Sequence, residues 1–228
     1  MAHLGYVAHA GARAMTLRRS GTVGVAVPTI DNAIFASGLQ AFQRRMAQAG
    51  QVVLLAFSDN DRAAERVAGV REALAGAGLA LAPQHLCEAR YTLADARRAT
   101  GLILGHAPAP TALVCGNDVL AFGAMLECAA QGLDVPGEVS VVGFDDLDLA
   151  RQWRPALTAV QVPTEAIWTL AADYLLARLD GSLASAQQRE IDVDLLVRAS
   201  TGPVPGPVAT ATRSAASTSG TARPGRRA

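Results

Sequence analysis

The chain has 228 residues, half of them apolar, which is enough to bury a core in one or two domains. Its 20 basic and 20 acidic residues cancel, and every basic residue is an arginine, so no global basic field for nucleic acid is present. Cys87, Cys115 and Cys128 are an odd number set in apolar stretches; with no bilayer-length apolar run and no signal-peptide core after Met1, they point to a reduced, cytoplasmic protein.

Residues 1–20 form a basic segment with Arg13, Arg18 and Arg19. Thr22 to Val27 reads as a strand. A helix from about Phe35 to Ala49 carries Leu39, Phe42 and Met46 on one face and turns Arg44 and Arg45 outward; Gly50 ends it. Val52 to Phe57 is a second strand, and residues 62–76 are helical. Leu79 to Leu86 leads toward another strand, and Asp95 to Leu104 is a helix.

From Pro110 to Asp146 the chain reads as a strand, a helix and a strand. Thr111 to Cys115 is a short apolar run behind two prolines. Asn117 or Asp118 caps a helix with Val119, Phe122 and Leu126 on its apolar face, and Gly132 stops it. Val139 to Phe144 is too continuously apolar for a sheet with one wet face, which implies a parallel sheet covered on both sides. Leu157 to Val160 is a strand, Val162-Pro163-Thr164 opens a helix ending at Asp180-Gly181, and Ile191 to Val197 is a last strand. The tail, 203–228, is rich in Ser, Thr, Ala, Pro, Gly and Arg and has the composition of a disordered segment.

The geometry of such a unit places Gly116-Asn117-Asp118 and Asp145-Asp146 at the carboxyl ends of neighbouring parallel strands, where open α/β sheets bind ligands. Enzyme signals are weak. The four histidines join no nucleophile motif, no Cys/His spacing suits zinc, and no glycine-rich phosphate or dinucleotide loop is present. The reading is therefore of a non-enzyme without cofactor or metal.

Three runs occur in order: C-G-N-D-V-L-A-F-G-A-M, then G-L-D-V-P-G-E-V-S-V-V-G-F-D-D, then P-A-L-T-A-V. Together they resemble the lactose-repressor (LacI) family of bacterial transcription regulators. The resemblance implies an α/β, periplasmic-binding-protein-like fold: parallel sheets with flanking helices in two subdomains, and a sugar or sugar-acid effector in the cleft between them. It also implies operator DNA as a partner and a homodimer, with no membrane contact.

Residue by residue, the resemblance makes Arg66 the ligand-gripping arginine, whose fork takes two hydroxyls or one carboxylate. Asp118 becomes an acceptor for ligand hydroxyls, against a plain helix-capping role. Phe35 and Tyr91 become aromatics facing the ligand, with Ile34, Asn60 and Arg62 beside them. Asp145 and Asp146 are read as turn residues. Residues 1–20 resemble the end of a DNA-binding domain and its hinge helix, with Met15 at the minor-groove wedge and Arg13 near phosphates. The family places a helix-turn-helix ahead of this point, and no segment of residues 1–20 is expected to act as its recognition helix.

The resemblance also breaks. The helix after S-D-N-D resembles one that the family places about a hundred residues later, so an internal deletion near residues 58–61 truncates the first subdomain. The expected domains are then a DNA-binding remnant at 1–20, a truncated first subdomain at 21–58 and 158–180, an effector-binding subdomain at 59–157 and 181–202, and a tail at 203–228. Lost strands imply open sheet edges and uncovered apolar surface. Two alternatives stay open: a regulator remnant without DNA binding, and a stand-alone sugar-binding protein.

Overall fold

The computed structural model describes residues 21–27, 33–57 and 63–204. They form two layered units. In the first, strands β1 (Thr22–Val27) and β2 (Val52–Phe57) pair in parallel, Thr22 opposite Val52 through Val27 opposite Phe57. Helix α1 (Ala33–Gln48) covers one face and packs along α6 (Thr164–Asp180), which arrives from much later in the chain. The α1 stripe is Gly38, Ala41, Phe42 and Met46, a helical repeat that turns one side inward. Phe42 meets Trp168 of α6 edge-on at 6.1 Å. Gly38 lies where that indole crosses, since a Cβ there would stand 2.1 Å from Trp168 Nε1. Arg44 and Arg45 turn outward, and each pairs with an acid of α6, Glu165 at 3.5 Å and Asp173 at 2.6 Å.

Strand alternation sends the remaining side chains to the other face. There Val52 and Leu54 are 58% and 60% exposed, so among the described residues this apolar face has little cover.

The second unit is a four-stranded sheet in the order β3 (Ala112–Val114), β4 (Ser140–Asp145), β5 (Thr158–Gln161), β6 (Asp194–Leu196). The first three run parallel and β6 is antiparallel. Helices α3 (Leu93–Leu104) and α4 (Asp118–Ala130) pack on each other, and α4 lies against β4. Leu113, Ala121, Phe122, Met125, Cys128, Val141, Leu157 and Ala159 form the core. In helix α2 (Ala63–Gly76), Arg66, Val67, Val70 and Leu74 are half-buried.

The sequence reading differs from this in four places. The lead from Leu79 to Leu86 makes only a single 3₁₀ turn at Pro83–His85. The last strand contracts from 191–197 to three residues, because only Asp194–Leu196 finds partners on the edge of β5. A short helix, α5 (Asp148–Gln152), follows the Asp145-Asp146 turn. Residues 158–180 divide between the units: the strand pairs with β4 and β6, and only the helix crosses to α1.

Helices α3 and α4 touch at Gly123, where a Cβ would lie 2.3 Å from the Ala96 methyl and 3.0 Å from the Leu93 carbonyl. Gly123→Ala adds helix propensity but must separate two backbones. The expected net loss is about 1–3 kcal/mol in a urea melt. A gain in stability would show that the helices part freely.

Candidate functional site

The site is built at the carboxyl end of β4. Asn117 caps α4, its Oδ1 accepting from the Leu120 amide at 2.9 Å. That settles which of the two polar residues caps and leaves the Asp118 carboxyl for another partner. Asp118 is fully buried, and its Oδ2 accepts from the Leu147 amide at 2.6 Å. Burial pushes its pKa up to about 7; the neighbouring Asp145 and Asp146 charges push the same way, while the Leu147 and Phe144 amides pull down.

Asp145 and Asp146 both adopt positive φ, 114° and 55°, a region that L side chains rarely enter. Asp146 is held by an ion pair to Arg198 at 2.7 Å and by the Gln161 amide at 3.2 Å. Arg198 also donates to the Leu157 carbonyl at 2.8 Å, tying the segment after β6 to this turn.

Alternation along β4 decides what faces what. A Cβ on Gly143 would meet Asp118 and Ala121, so Gly143 faces α4. Phe144 therefore points to the opposite face, where the Arg66 guanidinium lies 4.5 Å from its ring centroid. Such a cation–π contact contributes about 0.5–1 kcal/mol at an exposed site. Arg66 and Asp118 thus reach the same strand end from opposite faces. The sequence reading had both facing one ligand; here Asp118 lies beneath the turn and is closed to solvent.

Ile34 and Phe35 sit half-buried in the first turn of α1. Tyr91 is 40% exposed on the bend before α3, whose cap is Thr92. Asn60, Arg62, Met15 and Arg13 lie outside the described residues. Phe144 was not singled out by sequence, because its only distinction is a contact with a side chain 78 positions earlier in the chain, Arg66. Among the described residues no group of three or more His, Cys, Asp or Glu has the arrangement of a metal site. Nor is any described helix long and apolar enough to cross a membrane. The Arg66 guanidinium over the Phe144 ring and the Asp145-Asp146 turn thus stand together at the carboxyl end of β4.

The model of the periplasmic binding protein-like domain matches residues 40–201. The HTH-type transcriptional repressor CytR of Escherichia coli (strain K12) is 33% identical over 140 residues, which are 61% of this chain and 41% of that protein. The repressor PurR of Erwinia tasmaniensis is 36% identical over 135 residues, 59% of this chain and 40% of the relative. This chain thus matches well under half the length of those relatives. Among solved structures, the Lac repressor bound to ONPG superimposes with a TM-score of 0.77 at 18% identity, over 88% of each chain. The transcriptional regulator CelR in complex with cellobiose gives 0.69 at 19%, over 87% of this chain and 88% of that one. At these identities the structural likeness establishes the fold.

Proposed function

The chain belongs to the periplasmic binding protein-like domain family, and from that premise we propose that it is the effector-sensing core of a LacI-type transcriptional regulator. The observation that carries the reading is Arg66 stacked on Phe144 at the carboxyl end of β4. An arginine fork beside an aromatic face suits a ligand with hydroxyls or a carboxylate on an apolar ring, such as a sugar or sugar acid. Phe35, Ile34, Tyr91, Asn60 and Arg62 complete the proposed pocket, while Asp118 shapes it from beneath. The repressors it resembles supply the other half of the proposal: operator DNA as the output and a homodimer as the working state. Such a core acts by differential affinity, with effector favouring one arrangement and DNA another.

Thermal melts with sugars, sugar acids and nucleosides test this. A ligand at 100 times its Kd adds about 2.7 kcal/mol of stability. Arg66→Ala removes charge-assisted hydrogen bonds of about 1.5–3 kcal/mol, so affinity is expected to fall roughly 10- to 100-fold, while the unliganded protein loses only the about 0.5–1 kcal/mol of the contact with Phe144. A stabilising compound that binds Arg66→Ala equally well would sink the site. A second reading, a regulator remnant that no longer binds DNA, is favoured by the open apolar face at Val52 and Leu54. An operator-binding assay on the full chain separates the two.

A further inference from the structure

We propose that Asp118 is a proton-closed latch on the Asp145-Asp146-Leu147 turn, holding it shut while the carboxyl is neutral and loosening it as the carboxyl ionises. The geometry has three parts. The carboxyl is sealed between α4 and β4, pressed against Gly143, with no exposed surface. Its Oδ2 takes the Leu147 amide, and its Oδ1 has no hydrogen-bond partner. A charge there is therefore poorly compensated, whereas a neutral carboxyl still accepts from Leu147. Finally, the turn it holds has two non-glycine residues at positive φ, a conformation that persists only where neighbours enforce it.

Only the Leu147 and Phe144 amides favour the Asp118 charge, and burial outweighs them; no facing side chain adds to them. Asp145 and Asp146 approach from the turn and repel it. Arg198 is engaged by Asp146 and the Leu157 carbonyl. Cys115, before α4, is a neutral thiol, its pKa pushed up to about 12 by burial. Arg66 lies on the far face of the strand, over Phe144.

The sign follows from linkage. In the closed turn the Asp118 pKa stands at about 7, above the ordinary carboxyl value of 3.8 that applies once the turn opens. The closed state binds the extra proton, so its advantage is complete below about pH 4 and is lost as pH rises to about 7. The latch itself needs no effector; on the regulator reading, it makes the floor of the cleft respond to pH.

The test is amide exchange at Leu147 in the full chain without ligand, corrected for intrinsic exchange. Between pH 5 and 7 its protection is expected to fall by up to about tenfold per unit, then level off. Asp118→Asn is expected to make the profile flat. A flat wild-type profile, or an unchanged slope in Asp118→Asn, overturns the proposal. If that variant does not fold, the wild-type carboxyl carbon resonance of Asp118 decides: a midpoint near 7 supports the latch, and one near 4 rejects it. Neither readout involves an effector, so failure here is distinct from failure of the proposed function.

Discussion

Met46→Ala is expected to unfold the two-stranded unit and leave the four-stranded sheet standing. Met46 has no exposed surface and sits among Phe42, Ala172, Val23, Val25, Val53, Trp168, Leu175 and Leu176. Removing such a side chain costs about 2–5 kcal/mol, because the transfer energy is lost and a cavity remains. Whole domains have only about 5–15 kcal/mol. This unit has less to spare: a two-stranded sheet is marginal alone, and one of its faces is open at Val52 and Leu54. The two tryptophans make the outcome readable, since Trp168 packs in this unit and stacked Trp153 in the other. In Met46→Ala, Trp168 fluorescence (read in a Trp153→Phe background) is expected to shift to its unfolded value while much of the far-ultraviolet signal persists. A single transition, shifted together for both probes, would mean the two units fold as one.

Ser200→Ala is expected to cost about 2–4 kcal/mol, far more than a surface serine. The Ser200 hydroxyl is wholly buried; it donates to the Val141 carbonyl at 2.6 Å and accepts from the Thr158 amide at 2.8 Å. It therefore closes the gap where β4 and β5 diverge. Neighbouring bonds repeat the pattern, with Thr158 Oγ1 taking the Arg198 amide at 2.8 Å and lying 2.9 Å from Thr201 Oγ1. Alanine leaves two buried backbone groups without this partner, each costing about 1–3 kcal/mol. Urea denaturation measures the loss. A change below about 1 kcal/mol would mean that water takes the place of the hydroxyl.

These two residues show how unevenly the molecule can be read from its sequence. Met46 was legible, because it recurs with Phe42 at helical spacing. Ser200 carried no such signal, since nothing local says what its hydroxyl holds. The site divides the same way. Arg66 was singled out by the resemblance, and its guanidinium lies at the end of β4 over Phe144, which the sequence did not point to. Asp118 was singled out too, and was expected to face the same ligand. The step of one residue from Gly143 to Phe144 puts Asp118 and Arg66 on opposite faces of the strand.

By itself the sequence determined the local elements: a cap at Asn117 or Asp118, the left-handed stops at Gly132 and Gly181, the apolar stripe of α1 and the apolar runs that became β1 to β5. Each depends on residues within a turn or two of one another, whose sterics and hydrogen bonds act along the chain. Only the tertiary structure decided that α6 crosses to α1, that β6 keeps three residues, and that Asp118 is latched to Leu147 rather than open to solvent. Those outcomes rest on contacts between residues 29 to 128 positions apart, as at Asp118–Leu147 and Arg45–Asp173. Burial and pairing across such distances depend on how whole elements stack, which no local pattern records.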